Sequence, residues 1–535
     1  MTSIITGSTA HAAHQDPTQP RVIARGASVR ETLIAGGITG IGTALLMWCL
    51  WFVTHLPGLS LPEGVAGLAL LSALAFGAFV AGRVAPMAGR KAALAAGGAA
   101  GLSAACLNLL LIGSRLSEQP EAAPDPAAIS SKADVGALHP SAAVMAIGFI
   151  AACVAVGLIA GALGGRREAV TSDGWLSTAS RRRGVLAMLA AVAIAPLLLI
   201  GGLVTSTESG MAVPDWPGTF GANMFLYPIG LMAHPRIFLE HSHRLFGAMA
   251  GLVSILALLA IWTGPARARG EGVRAAIVTF MLLSIALSAL VLQATERAPT
   301  IAFFAVAAIV FVVALGIAAW GVVTARTKWA AGAAFTLVCV QGMLGGVRVT
   351  ANSEVFALLH GIGGQLVFAA AVALAGALAP IDHDQRHASD ARAGRLAWLG
   401  VAALGCLIFQ LGMGGAYRHL AMTHALWTHV GFAIVATIAV VWLGFALFAT
   451  RAAGVGKWIV GVVGFQFVLG FGALLAVLGA DDRGAIPTYD TLTEAPDAPV
   501  LEVLLATAHQ ANGALLLGLV TLGTVLGLRV ARGAR

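Results

Sequence analysis

Residues 425–450 read ALWTHVGFAIVATIAVVWLGFALFAT, with no acid, no lysine, no arginine and one imidazole, His429. Bilayer hydrocarbon is about 30 Å deep and a helix rises about 1.5 Å per residue, so roughly 20 apolar residues cross it with every backbone group bonded inside the helix. This stretch is long enough to span, and an ionisable group inside a span asks for a function. Outward from it the same pattern recurs. Of 535 residues, 58% are hydrophobic and only 10% charged, and the mean hydropathy is +0.88, which excludes an ordinary soluble domain.

Apolar runs cover about 31–53, 62–84, 92–113, 143–164, 185–206, 238–262, 274–294, 300–323, 330–348, 355–379, 396–414, 425–450, 456–479 and 503–528. The expected fold is an all-α polytopic membrane protein of about fourteen transmembrane helices. Charge placement supports that count. Arg83 and Arg90, Arg166 to Arg183, Arg267 to Arg274, Arg326 and Lys328, Arg386 to Arg395, Arg451 and Lys457, and the tail to Arg535 all fall on one side, which is therefore cytoplasmic. The other side receives loops 114–142 and 207–237 and an acidic stretch from Asp481 to Glu502. The net charge of +8 follows from this topology and calls for no nucleic acid. Residues 1–30 lack the order of a signal peptide and read as a cytoplasmic tail. Cys49, Cys106, Cys153, Cys339 and Cys406 lie in apolar runs without a CxxC or CxxCH, which argues against a disulfide scaffold, covalent heme or a zinc knuckle.

Two regions differ. Residues 31–165 form a four-span module with essentially no intramembrane ionisable group, and the Arg-rich loop 166–183 is the natural boundary after it. From 185 onward, histidines appear inside spans. His243, His360, His429 and His509 each lie just inside a span running from outside to inside, so they share one depth. Imidazole on a helix is the usual axial ligand of heme iron.

The surroundings repeat. Gln341, Leu344, Gly345 and Gly346 end one span, and His360 follows that Gln by 19 residues; Gln410, Gly412, Gly414 and Gly415 end another, and His429 follows by the same 19. Gln466, Leu469 and Gly470 precede His509 across the acidic loop, and Gly201 and Gly202 precede His243. A helix pair with glycine at its outer end and histidine just inside thus recurs four times. Glycine admits a macrocycle or a neighbouring helix close to the backbone. Four such pairs make a core of two pseudo-symmetric four-helix bundles, 185–379 with an extra hairpin at 274–323, and 396–528, each offering two facing histidines to one flat group. Taken singly, such a histidine could equally hydrogen-bond a neighbouring helix, and glycine could serve helix packing alone; the fixed Gln-to-His register is what packing does not explain. His241 and His424 point away from their neighbours His243 and His429, and read as rim residues; His419 is a further competitor.

The run Ser209 to Pro217 (SGMAVPDWP), then Glu240-His241-Ser242-His243-Arg244, then Gln341 to Val347 with His360, and finally His509-Gln510, resembles the heme A synthase family over roughly 185–528. The resemblance implies an oxidoreductase that converts the methyl group of heme O to the formyl group of heme A for cytochrome oxidase. It implies heme O as substrate between His243 and His360, and heme b as cofactor between His429 and His509. Glu240, three residues before His243 and on the same helical face, would take protons during oxidation or stabilise a carbocation-like intermediate; the plainer reading pairs it with Arg244. Arg244, Arg348 and Arg418 near the outer rim are candidate partners for heme carboxylates. The chain departs from the family's usual eight spans by the four-span module and the hairpin, and loop 207–237 lacks the cysteine pair of some members. The implied setting is a bacterial inner membrane, with lipid around the spans, an electron donor that the residues do not specify, and a heme O synthase or cytochrome oxidase assembly factors as possible partners. The rival readings are a bis-histidine b-type electron carrier or quinol oxidoreductase, and a heme transporter.

Overall fold

The computed structural model describes residues 27–59, 61–118, 136–166, 175–296, 300–380, 390–450, 452–479, 491 and 496–533. Most of the expected tail, His11, His14, His383, His387, and most of the acidic stretch 481–502 lie outside the described residues. Among the described residues fourteen helices are long and apolar enough to cross a membrane. They are α1 (Val29–Thr54), α2 (Glu63–Arg83), α3 (Arg90–Leu116), α4 (Ala142–Gly164), α5 (Ala179–Ser206), α6 (Pro235–Trp262), α7 (Glu271–Glu296), α8 (Thr300–Val323), α9 (Thr327–Ala351), α10 (Glu354–Leu378), α11 (Asp390–Leu420), α12 (Thr423–Phe448), α13 (Ala453–Leu478) and α14 (Val500–Gly533). This is an all-α, multi-pass membrane protein.

The ends are set by ordinary helix chemistry. Ser28 accepts from the Glu31 amide while the Glu31 carboxylate returns to the Ser28 amide, a capping box that starts α1. Ser353 caps α10 through the Phe356 amide, and α6 begins with Pro235, whose missing N–H falls where a helix has no partner for it. That start is further out than 238, so His243 sits two turns inside α6 rather than one.

Two square bundles form the core. In the first, α5 and α9 each pack against both α6 and α10; in the second, α11 and α13 each pack against both α12 and α14. The bundles meet where α14 packs on α5 and α10. The hairpin α7–α8 leans on α9 from outside, which is how two extra spans enter without separating the histidine helices.

End-to-end contacts agree with the alternation read from charge. On the outer side Arg418 at the end of α11 donates to the Thr205 carbonyl at the end of α5 (2.7 Å), and Arg236 at the start of α6 donates to the Pro496 carbonyl before α14 (2.8 Å). On the inner side Arg529 donates to the carbonyls of Gly376 and Ala379, each at 2.7 Å. The module α1–α4 is joined to the core at its inner end, where buried Arg182 of α5 meets Glu31 at 3.2 Å and the Leu176 carbonyl at 3.0 Å. Further out, Trp48 meets Phe246 of α6 edge-on at 5.5 Å and Phe52 stacks with Phe238 at 5.6 Å. Within the module α3 and α4 touch through glycines: a Cβ on Gly161 would stand 2.6 Å from the Gly97 Cα. Such backbone proximity gives dispersion contact where lipid offers no hydrophobic drive between helices.

Candidate functional site

Each square bundle carries its two histidines on diagonal helices. His243 of α6 faces His360 of α10 with ring centroids 6.2 Å apart and planes at 81°. His429 of α12 faces His509 of α14 at 6.1 Å and 78°. Two imidazoles on one metal, with metal–nitrogen bonds of about 2.0–2.1 Å and roughly 1.1 Å from nitrogen to ring centre, have centroids about 6.3 Å apart. Both pairs therefore hold the spacing of a shared axial metal. Among the described residues no group of three or more His, Cys, Asp or Glu side chains could hold a metal ion unaided. Two facing imidazoles suit iron whose other four positions a porphyrin fills.

The repeated glycines lie directly beneath the rings. A Cβ would come within 3.0 Å of His243 Cε1 at Gly201, 2.7 Å of His360 Cε1 at Gly345, 3.1 Å of His429 Cε1 at Gly414 and 2.9 Å of His509 Cε1 at Gly470. A larger residue would crowd the imidazole, most at Gly345 and least at Gly414. The Gln register also has a physical content. The Gln341 amide donates to the His360 carbonyl (2.5 Å) and lies 2.9 Å from its Nδ1, the Gln410 main-chain carbonyl is 2.9 Å from His429 Nδ1, and Gln466 Nε2 is 3.1 Å from His509 Nδ1. In the fourth copy the position four before the glycine is Leu197, whose carbonyl interacts with the His243 ring, while Nδ1 of that ring has no partner at full hydrogen-bond geometry. At His360 and His429 a group on Nδ1 fixes ring orientation and leaves Nε2 free for a metal, whereas Gln466 Nε2 also lies 3.4 Å from His509 Nε2.

Over the first pair the outer loop closes as a cover. Arg244 donates through Nη1 to the carbonyls of Asp215 and Gly218 (2.5 and 2.9 Å), through Nη2 to that of Val213 (2.9 Å), and through Nε to Glu240 Oε1 at 3.1 Å. Asp215 in turn accepts from the amides of Phe220 and Gly221. Trp216 packs its indole on Gly346, and Arg348 lies against Gly210, within electrostatic reach of both rings of the pair. Arg244 thus holds the loop. Glu240 is ion-paired as the plainer reading expected, yet it is almost fully buried and its Oε2 has no hydrogen-bond partner.

His241 is not at the rim. It is fully buried, with Nδ1 3.1 Å from Thr219 Oγ1 and its ring 5.4 Å from that of Tyr227, because the loop folds back over the face of α6 opposite the bundle interior.

Around the second pair is a cavity of about 380 Å³, within the size range of cofactor sites. His429, His509, Gln410 and Gln466 face it among apolar residues such as Leu426, Phe467 and Leu516, and its outer wall carries Arg418, His419 and Thr205. His419 lines this cavity on one side and approaches Gly361, the neighbour of His360, on the other. His424 is exposed and lines nothing there. No family model, curated protein or solved structure matches the chain. The site therefore rests on its own geometry.

Sequence reasoning missed three contributors. The Leu197 carbonyl has no side-chain signal, though its place four residues before Gly201 could have been found by extending the Gln register. His241 needed the loop. Asn512 of α14, which donates to Gln466 Oε1 at 2.8 Å, lies one turn beyond His509 and was overlooked among apolar neighbours.

Proposed function

We propose that the chain is a heme A synthase of a bacterial inner membrane, holding heme O between His243 and His360 and heme b between His429 and His509. The observation that carries the two-heme reading is the pair of equal imidazole spacings, 6.2 and 6.1 Å, each over a glycine floor. What separates the two sites is Glu240, which accompanies only the first pair; the corresponding positions three residues before the other histidines are Ala357, Leu426 and Ala506. When bound, the second heme would relay single electrons between the first site and an external acceptor.

The protein's own groups then divide the work. His243 and His360 would hold the substrate, with Glu240 one turn from His243 on the same helix. With water as the oxygen source, oxidation of a methyl group to a formyl group (R-CH3 + H2O → R-CHO + 4 H+ + 4 e−) releases protons and passes its electrons to an external acceptor, and Glu240 Oε2, buried and without a partner, would accept one of the protons; Arg244 Nε on Oε1 holds the carboxylate in that orientation. Loop 207–228, drawn down by Arg244, keeps bulk water from the outer side of the first pair. Arg348, whose charge reaches both rings, suits an anionic heme carboxylate there, and Arg418 on the wall of the second cavity suits one in the other site.

The purified full chain fed heme O should return heme A, resolved by pigment extraction and chromatography. A preparation that retains two low-spin hemes and forms no heme A would instead be a b-type electron carrier. One that moves heme across vesicles without needing bound iron would be a transporter.

A further inference from the structure

The two bundles differ in how the amide beside the second histidine of each pair is held. In the second bundle Gln466 is fixed at both ends. Its Nε2 stands 3.1 Å from His509 Nδ1, while its Oε1 accepts from Asn512 Nδ2 at 2.8 Å. Asn512 is itself oriented, because Nδ2 also donates to the Val462 carbonyl at 3.1 Å. The hydrogen-bond network therefore dictates which way both amides point. In the first bundle Gln341 is fixed at one end only. Its Nε2 serves His360, but its Oε1 is buried with no partner. The place of Asn512, three residues after the histidine, is occupied by Gly363, where even a Cβ would come within 2.5 Å of Gln341 Oε1.

We propose that Asn512 is a positioning residue that makes the second imidazole pair a permanent clamp, and that the first pair, with Gly363 in the equivalent place and no partner on His243 Nδ1, is the releasable one. The proposal rests on the reading of both pairs as heme sites. Its physical basis is a difference in anchoring. Moving His509 breaks a chain that runs from the ring through Gln466 and Asn512 to the backbone of α13, whereas moving His360 disturbs an amide that already carries an unsatisfied oxygen. A substrate that enters and leaves at every turnover needs the second kind of ligand, and a resident electron carrier needs the first.

The test uses the full chain loaded with heme, with one pair disabled at a time. His243→Ala leaves only the second pair and His429→Ala only the first. The readouts are carbon monoxide binding to the reduced protein, which requires an axial histidine to leave, and the rate of heme transfer to excess apomyoglobin. The second pair should resist carbon monoxide and the first should accept it. Adding Asn512→Leu, which keeps the volume, should make the second pair reactive to carbon monoxide and speed its heme loss roughly five- to tenfold, the worth of one hydrogen bond. Asn512→Ser, which retains a donor, should restore part of the inertness, and if the Leu variant fails to fold this Ser variant still reads an intermediate loss rate. Two results overturn the inference alone: a second pair whose heme loss stays within about twofold of the parent after Asn512→Leu, or a first pair as inert as the second. A chain that binds no heme in either background overturns the two-site reading and the inference with it.

Discussion

The two bundles share a skeleton and differ in everything that surrounds it. Both present diagonal histidines over glycine at nearly the same spacing. The first is roofed by loop 207–228, has a buried carboxylate one turn from its histidine, and is braced from outside by α1 through Trp48 and Phe52. The second keeps an open cavity of about 380 Å³ and has no acid beside its rings. Repetition explains how a flat group can be held twice; asymmetry explains why only one of the two would be transformed.

The largest effect should come from removing a ligand. His429→Ala or His509→Ala is expected to abolish the low-spin spectrum of the second site and leave the first, and optical and electron paramagnetic resonance spectra of the purified variants read this directly. Two intact low-spin signals in either variant would refute the assignment. Next in size is the carboxylate. Glu240→Gln keeps shape and removes the proton acceptor, so heme A formation should fall about 10²- to 10⁴-fold with both hemes retained. If turnover survives, the asymmetry between the bundles has another origin. Arg244→Leu comes third: it leaves Glu240 as a buried, unpaired charge and frees three loop carbonyls, a loss of about 3–5 kcal/mol that should be read as raised hydrogen exchange in 209–222 and a lowered unfolding temperature. The double change Arg244→Leu with Glu240→Gln should recover much of that stability but not activity, separating the brace from the chemistry.

Much of this was legible before any coordinates. Fourteen spans follow from hydropathy because lipid forces backbone satisfaction into each helix, and the structure has fourteen such helices among the described residues; contacts such as Arg418 with Thr205 at one end and Arg529 with Gly376 at the other bring together the helix ends that the alternation expects together. The 19-residue register between Gln and His was legible because side chains facing one another across a short hairpin keep a fixed count. What the sequence hid are features made by tertiary closure. His241 reads as a rim residue by helical rotation alone, and becomes buried only because a loop twenty residues upstream folds over it. Arg244 reads as a partner of Glu240 or of a heme carboxylate near the outer rim, and its Nη donors turn out to be taken by that same loop. A main-chain carbonyl such as that of Leu197 carries no residue-type signature at all.

The smallest expected effect is also the finest test of the glycine floor. If these glycines serve only helix packing, alanine at each should cost a similar amount with no change in the hemes. If they set ring position, the effect should follow the clearance beneath each imidazole. A Cβ at Gly345 would stand 2.7 Å from His360, closer than any real contact, while at Gly414 it would be 3.1 Å from His429. Gly345→Ala should therefore force the ring inward, costing about 1–3 kcal/mol, and shift the spectrum of the first site. Gly414→Ala should need a movement of only a few tenths of an ångström and leave the second site's spectrum nearly unchanged. Equal shifts at the two positions would mean that the floor is not what places the rings, and that the carbonyl and amide groups on Nδ1 do so instead.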